Sequence, residues 1–232
     1  MRWIAAFFRK LRVQLWLGFA SLHVLMWKLS PARPIIDHDV RRWVELSPRH
    51  AGLLGLPLWK QFALLLWKFP TFRNLLYYRV RRERHWPSRF LLECARRILP
   101  KWPSLWIACR SIGPGLFIQH GFSTAIGGES IGTGCWINQQ VTIGHARHDG
   151  GGGPVIGNNV RIATGAQVLG NITIGDNCTV APNSYVNKSI PPNCTVVGVP
   201  AYIIRRDGKP VRLAGARRVA RKMTRSTDIE QP

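Results

Sequence analysis

The sequence predicts a parallel β-helix built from hexapeptide coils, preceded by an α-helical N-terminal region. Aliphatic residues recur at every sixth position from Ile156 to Val186, and small or apolar residues stand four positions after each of them. A helix repeats near 3.6 residues and a half-buried strand at 2, so a strict period of six is typical of a hexapeptide solenoid. Each group of six residues would form one flat side of a triangular coil. The aliphatic register returns upstream at Ile112, Ile118, Ile131, Ile137 and Ile143.

One segment interrupts this period. The ten residues HARHDGGGGP lie between Ile143 and Ile156, long enough to leave the coil and return as an exposed loop. The insertion carries His145, His148 and Asp149, followed by four consecutive glycines. A glycine run suits a mobile flap, and loops on a rigid scaffold often carry function.

The charge is distributed unevenly. The chain has 33 Lys and Arg against 11 Asp and Glu, a net charge of +22. Residues 1–110 carry 21 basic and 5 acidic side chains, residues 111–200 carry 3 of each, and residues 201–232 carry 9 and 3. We therefore divide the chain into a basic, Trp-rich helical region at 1–110, the coil domain at 111–204 and a basic tail at 205–232.

The N-terminal region combines apolar and basic residues. The charge-free run from Val13 to Trp27 is shorter than the ~20 residues that a membrane-spanning helix needs. Nine of the ten Trp lie in the first 110 residues. We expect a helix at an anionic membrane surface, and packing against a partner subunit is the alternative that we weigh beside it. An uncleaved membrane anchor is a third interpretation. We expect no nucleic-acid binding, because no recognisable reading motif accompanies the basic residues.

Five cysteines make an odd number without the CxxC spacing of many metal and redox sites. Two of them, Cys135 and Cys178, occupy small interior positions of the coil. We expect reduced thiols that pack in the core, which fits a cytoplasmic protein.

Several segments together resemble the hexapeptide-repeat acyltransferases. They read GPGLFIQHGFSTAIGGESIG, WINQQVTIG, PVIGNNVRIATGAQVLGNITIGDNCTVAPNSYV and VVGVPAYII, and they cover about residues 110–205. Within that family the chain is most similar to the serine acetyltransferase branch and its relatives in polysaccharide biosynthesis. The resemblance implies a left-handed parallel β-helix, a homotrimer and an acetyl-CoA site between neighbouring coils.

The resemblance also implies the catalytic residues. His120 lies in the HG motif of the family and would take the proton of an acceptor hydroxyl as that hydroxyl attacks the thioester, since histidine titrates near neutrality. Asn138 or backbone N–H groups would stabilise the oxyanion. His145 would be a second catalytic or substrate-orienting residue, although a solvated loop histidine is an equal alternative.

For acetyl-CoA the resemblance points to coil corners and to a basic residue that meets phosphates. The implied contacts are Gly144, Thr164, Gly165, Ala181 and either Arg205 or Arg206. No metal is expected.

The prediction of the acceptor rests on two positions at which this chain differs from the serine acetyltransferase pattern. In serine acetyltransferases an Asp precedes the catalytic His, whereas Gln119 does so here, and a second, upstream Asp has no counterpart in this chain. Because these carboxylates would partner the amino group of serine, we expect instead a sugar hydroxyl of an envelope or exopolysaccharide precursor, acetylated at the cytoplasmic membrane face. Serine is the alternative acceptor.

Two other classes use the same coil. In a γ-type carbonic anhydrase three His hold zinc, and His120, His145 and His148 are the candidate ligands here, although their spacing does not match. A trimeric scaffold without activity is the non-enzymatic interpretation. The intact HG motif and the GVPA closure favour an active enzyme.

Overall fold

The computed structural model describes residues 18, 20–47, 52–145 and 152–211. Residues 13–17 and 19 of the apolar N-terminal run, the centre of the inserted loop with His148, and residues 212–232 of the basic tail lie outside the described residues. The described chain begins with helices and continues as a β-helix. The helices are α1 (20–29), α2 (Arg33–Glu45), α3 (Leu58–Lys68), α4 (Pro70–Arg81) and α5 (Trp86–Ile98).

Proline marks the first turn of α2, α4 and α5. Its φ is already helical and its missing N–H would have no partner in the first turn, so it begins a helix without penalty. Helix α3 is amphipathic and buries Phe62, Leu65 and Leu66 against its neighbours. Among the described residues, no helix has the length and apolar character to cross a membrane.

The β-helix has three faces, each a parallel sheet. Sheet A contains β1 (Leu105–Ile107), β4 (Thr124–Ile126), β7 (Thr142–Gly144), β10 (Gln167–Leu169) and β13 (Tyr185–Val186). Sheet B contains β2 (Ser111–Ile112), β5 (Ser130–Ile131), β8 (Val155–Ile156) and β11 (Thr173–Ile174). Sheet C contains β3 (Phe117–Ile118), β6 (Trp136–Ile137), β9 (Arg161–Ile162), β12 (Thr179–Val180) and β14 (Cys194–Gly198). Two antiparallel strands extend sheet C, β15 (Ala201–Arg206) and β16 (Lys209–Pro210).

The predicted register is observed. Ile156 pairs with Ile174, and Ile162 pairs with Val180, each eighteen positions along the chain. Ile131 pairs with Ile156 across the insertion, so the coil resumes in register after the loop. The predicted small interior positions are all buried: Val160, Ala166, Ile172, Cys178, Ser184 and Ile190. The period of six therefore identifies both rows of interior side chains, the aliphatic row and the row four positions after it.

The cysteines of the interior rows pack as predicted. The Cys135 thiol donates to the Gly157 carbonyl at 3.1 Å, and the Cys178 thiol donates to the Pro191 carbonyl at 3.0 Å. All five cysteines are free thiols, four of them buried and Cys94 partly exposed. Since thiols are weak donors, burial at these positions is a matter of size rather than of hydrogen bonding.

A polar ladder runs along the corner between sheets B and C. Asn159, Asn177 and Asn193 all have positive φ, which asparagine tolerates better than most residues. Their side-chain amides are hydrogen-bonded in sequence, at 3.2 Å from Asn159 to Asn177 and at 3.0 Å from Asn177 to Asn193. The ladder satisfies hydrogen-bonding groups of the asparagine side chains, which recur once per coil at this corner.

The helices pack against the first coils through a buried aromatic group. The Trp43 indole N–H donates to the Leu116 carbonyl at 2.8 Å, and its ring meets Phe117 edge-on at 4.8 Å and Phe72 at 5.3 Å. Trp43 therefore joins α2, α4 and β3 in one core.

Candidate functional site

His120 follows β3 at the corner between sheets C and A. Its φ is +63° and that of Gly121 is +57°, and the Gly121 N–H donates to the Gln119 carbonyl at 2.8 Å. This tight turn directs the imidazole out of the coil, and His120 is exposed. An exposed imidazole on a strained turn suits a general base rather than a core residue.

Glycine is required at position 121 by the neighbouring helix. A Cβ placed there would lie 2.5 Å from Cγ2 of Thr71, a buried residue in the first turn of α4. It would also lie 3.0 Å from Cγ2 of Ile118. The HG motif thus has a physical reason: the helical region and the coil close against the turn that carries His120.

Gln119 and Asn138 are hydrogen-bonded beside His120. The Asn138 amide Nδ2 donates to the Gln119 side-chain oxygen at 3.0 Å. The Asn138 Oδ1 and, one residue further, the Gln139 Oε1 are buried without a partner among the described residues. A buried acceptor without a donor costs about 1–3 kcal/mol, so both oxygens are suited to a ligand that brings N–H or O–H groups. Gln139 is a candidate that sequence reasoning missed, although its neighbour Asn138 was the available signal.

The same corner is stacked coil upon coil. The Gly165 N–H donates to the Gln139 carbonyl at 3.1 Å, and the Asn183 N–H donates to the Thr164 carbonyl at 2.9 Å. Gly165 has a φ of +71°, and a Cβ there would clash with the Asn183 side chain. The corner therefore forms one column of residues from successive coils. It contains most of the residues predicted for catalysis and for acetyl-CoA: His120, Asn138, Thr164, Gly165 and Ala181.

Gly144 and His145 lie elsewhere. Gly144 ends β7, whereas His120 precedes β4, the neighbouring parallel strand. The two residues therefore lie beyond opposite ends of the strands of sheet A. The three residues of β4, Thr124–Ile126, separate these two ends and span roughly 10 Å at 3.3 Å per residue. The His145 ring approaches the Cβ position of Gly153, at 3.1 Å, where the inserted loop returns to the coil. One chain does not bring His120 and His145 together.

Arg205 and Arg206 are exposed on β15. Arg205 pairs with Thr195 of β14, which in turn pairs with Thr179 of β12. Ala181 follows β12, so Arg205 lies two strands away from that end of the corner column. This places a cation at the C-terminal end of the coil.

No group of three or more His, Cys, Asp or Glu comes together within the described ranges. His120 and His145 are separated as stated above, and His148 lies outside the described residues.

The comparisons with known proteins agree with this architecture. The model of the bacterial transferase hexapeptide family (six repeats) matches residues 153–188. The chain is 37% identical over 147 residues to a serine acetyltransferase of Synechococcus elongatus, covering 60% of this chain and 59% of that relative. It is 46% identical over 102 residues to a serine acetyltransferase of Staphylococcus xylosus, covering 43% and 47%. The chain thus spans about half the length of the curated relatives it matches.

Solved structures show the same fold. Soybean serine acetyltransferase apoenzyme is 27% identical, with a TM-score of 0.57, and covers 74% of this chain and 68% of its own. The serine acetyltransferase of Brucella abortus strain S19 in complex with coenzyme A is 25% identical, with a TM-score of 0.54, and covers 78% and 71%. The predicted fold class, a left-handed parallel β-helix after an α-helical region, and the resemblance to hexapeptide-repeat acyltransferases are confirmed.

The expectation of a sugar acceptor is wrong. The relatives and the solved structures described above are serine acetyltransferases. The expectation rested on missing carboxylates, yet amide oxygens also accept hydrogen bonds from an ammonium group. The corner holds two such oxygens that have no partner among the described residues. The absence of Asp at position 119 therefore did not discriminate between the two acceptors.

Proposed function

We propose that this hexapeptide-repeat chain, which resembles the serine acetyltransferases in sequence and fold, is an acetyl-CoA-dependent serine O-acetyltransferase. The observation that carries the proposal is the corner column, in which an exposed His on a strained HG turn lies at one end of the residues expected to bind acetyl-CoA. The relatives support serine as the acceptor and acetyl-CoA as the donor. The product class would be an O-acetylated amino acid, as cysteine synthesis requires.

In the proposed reaction, His120 accepts the proton of the serine hydroxyl. The hydroxyl oxygen then forms a bond to the thioester carbonyl carbon, and the carbon–sulfur bond breaks. The proton on His120 passes to the departing coenzyme A thiolate, which restores the neutral imidazole. The second hydrogen of the Asn138 amide, or a backbone N–H, donates to the oxyanion.

The amino group of serine would be held by amide oxygens in place of carboxylates. Asn138 Oδ1 and Gln139 Oε1 both lack a donor among the described residues, and Gln119 fixes the orientation of Asn138. Neutral acceptors bind an ammonium more weakly than carboxylates do, so we expect weaker binding of serine than an Asp at position 119 would give.

We propose that coenzyme A lies along the coil corners. Thr164, Gly165 and Ala181 would present backbone groups to the pantetheine arm, Gly144 would do so at the other edge, and Arg205 would meet phosphates. A solved relative with coenzyme A bound supports a site for this cofactor on the fold.

We propose a homotrimer on the basis of the position of His145. His120 and His145 lie beyond opposite ends of the strands of sheet A, so a second copy packed against that face can supply the missing residue to the first. In this arrangement His145 of one copy would orient the substrate beside His120 of the next.

We propose a cytoplasmic protein with peripheral attachment to the inner membrane face. The support comes from α5, where Trp86 and Phe90 are 75% and 63% exposed beside the exposed Arg89 and Arg97. Aromatic and cationic side chains on one helix suit an anionic lipid surface. Trp86→Ser/Phe90→Ser should lose sedimentation with vesicles that contain phosphatidylglycerol, and unchanged sedimentation would contradict this attachment.

The test of the function is release of coenzyme A from acetyl-CoA by the purified chain, with L-serine as the acceptor. His120→Ala should lower the rate about a hundred- to ten-thousand-fold, the usual contribution of a general base. His85→Ala, a histidine of the helical region, is the matched control and should keep the wild-type rate. Turnover that requires a glycan, with none on serine, would contradict the acceptor; serine turnover that survives His120→Ala would contradict the base.

A further inference from the structure

A basic cavity of about 670 Å³ lies between the end of α4 and the segment that leads into β1. Its volume is within the roughly 300–1,000 Å³ of small-molecule sites. The lining contains no carboxylate and three cations, which are Arg81, Arg82 and Lys101. We propose that this cavity binds the phosphate group of a phosphate ester, a role separate from the acetyl transfer.

The cations of the cavity lack anionic partners. Among the residues that the structure describes, no carboxylate forms an ion pair with Arg81, Arg82 or Lys101. Burial lowers the pKa of Lys101 below its ordinary value, the nearby Arg96 and Arg81 lower it further, and Glu93 opposes them by a smaller amount. Positive charges are therefore crowded together, and a bound oxyanion would relieve their repulsion.

The walls of the cavity are fixed by buried hydrogen bonds. The Asn74 amide donates to the Trp102 and Leu105 carbonyls, each at 2.9 Å, and its oxygen accepts the Trp102 N–H at 2.9 Å. The Tyr78 hydroxyl donates to the Cys109 carbonyl at 3.0 Å, and the Arg82 guanidinium lies over the Tyr78 ring at 5.5 Å. A site with fixed walls loses little conformational entropy when a ligand binds.

Aromatic surface accompanies the charge. Trp102 and Trp106 both line the cavity, and Trp106 is 61% exposed. An apolar wall beside three cations fits an organic phosphate better than a bare inorganic ion. The phosphate group can belong to a soluble monoester or to the phosphodiester headgroup of a phospholipid, because both present anionic non-bridging oxygens that accept hydrogen bonds from Arg and Lys.

The cavity lies close to the turn that carries His120. Leu105, which lines the cavity, approaches the Cβ position of Gly121 at 3.6 Å. The Ser123 N–H donates to the Ser104 hydroxyl at 2.8 Å, which joins the two segments again. Binding to the cavity is measured in the absence of turnover and is then compared with the rate of acetyl transfer.

The experiment measures binding of glycerol 3-phosphate to the full chain by calorimetry, with tryptophan fluorescence as a second readout. Arg81→Gln/Lys101→Gln should weaken binding at least tenfold. The matched control is Arg41→Gln/Lys188→Gln, which also removes one Arg and one Lys but from exposed positions outside both the cavity lining and α5. The control should bind as the wild type does, which separates the cavity from the general attraction of a chain with a net charge of +22.

Vesicles of phosphatidylglycerol, with phosphatidylcholine vesicles for comparison, distinguish the two sources of phosphate. Binding to either the soluble ester or the anionic vesicles that is lost in the cavity variant alone supports the proposal and names the source. Equal loss in the control variant, or no binding by the wild type to either probe, overturns it. Lys101→Gln alone is the second variant if thermal unfolding indicates that the double variant is unfolded, and undiminished binding by this folded variant also overturns the proposal.

Discussion

The Arg79 guanidinium and the Asp39 carboxylate form a buried ion pair between α4 and α2, with Nε 3.0 Å from Oδ2. Both side chains also reach the coil: Arg79 donates to the Ile112 carbonyl and, at 2.7 Å, to the Gly113 carbonyl. Asp39 accepts the Gly115 N–H at 2.7 Å. The pair therefore fastens two helices to the first coil.

We expect Asp39→Asn or Arg79→Met to lower the free energy of unfolding by about 3–5 kcal/mol, because each leaves a buried charge without its partner. Chemical denaturation measures this. The matched control is Glu129→Gln, which removes the exposed Arg110–Glu129 pair and should cost less than about 1 kcal/mol. The double variant Asp39→Asn/Arg79→Met should lose less than the sum of the single losses; strict additivity would mean that the two side chains do not act as a pair.

His23 makes stability depend on pH. Its ring is fully buried, and its Nε2 lies 2.8 Å from the Tyr77 hydroxyl, which itself donates to the Leu99 carbonyl. Nε2 must therefore carry the hydrogen, and Nδ1 lies buried without a partner among the described residues. Burial, and to a lesser extent Arg73, lowers the pKa of His23 from 6.5 to about 4.

Because the unfolded chain takes up this proton at a higher pH than the folded chain does, the contribution of His23 is complete above pH 6.5 and is lost as the pH falls toward 4. The loss should reach about 3 kcal/mol. His23→Gln should flatten this part of the pH–stability curve, with each protein referred to its own stability at pH 8. An unchanged slope in the variant would assign the effect to other groups.

The contact between Gly121 and Thr71 can be tested directly. Gly121→Ala should destabilise the fold by about 2–4 kcal/mol, through the positive φ and through the clash with Thr71. Thr71→Ser removes the clashing methyl group, so Gly121→Ala/Thr71→Ser should recover part of the loss. Denaturant unfolding of the four proteins gives the coupling, and a double variant no more stable than Gly121→Ala would contradict the clash.

The thiols should differ sharply in reactivity. Burial raises the pKa of Cys135 to about 11, whereas Cys94 is partly exposed. A disulfide reagent at pH 8 should therefore modify Cys94 first and leave Cys135 unmodified until the chain unfolds. Cys94→Ser should remove the fast phase. Mass spectrometry that finds early modification of Cys135 would contradict this order.

The sequence predicted the coil well because each interior position is a local choice of residue size, repeated at a fixed period. Ile131 and Ile156 both belong to the aliphatic register of the sequence, and they are direct neighbours in sheet B. The docking of the helices was not predictable in this way. The Asp39–Arg79 pair and the cavity beside Lys101 join residues far apart in the chain, and no period marks them.

The candidate site also contains residues that the sequence indicated and residues that depend on packing. The family resemblance indicated His120, Asn138, Thr164, Gly165 and Ala181, and the coil places these residues at one corner. Gln139 was missed because only its neighbour Asn138 pointed to it, and the burial of its amide oxygen depends on the packing of the coil. The acceptor was predicted wrongly. The absence of an Asp shows that one partner of the serine ammonium group is missing, but it does not show which other oxygen takes its place. Such a replacement depends on the neighbouring coil, here on Asn138.

The pairing of Ile131 with Ile156 also means that the register of the coil does not depend on the length of the inserted loop. Because the two residues stack as direct neighbours, the segment between β7 and β8 can lengthen, shorten or exchange its sequence while the rows above and below keep their alignment. Chimeras that graft this segment from other hexapeptide proteins should therefore fold with the coil in register.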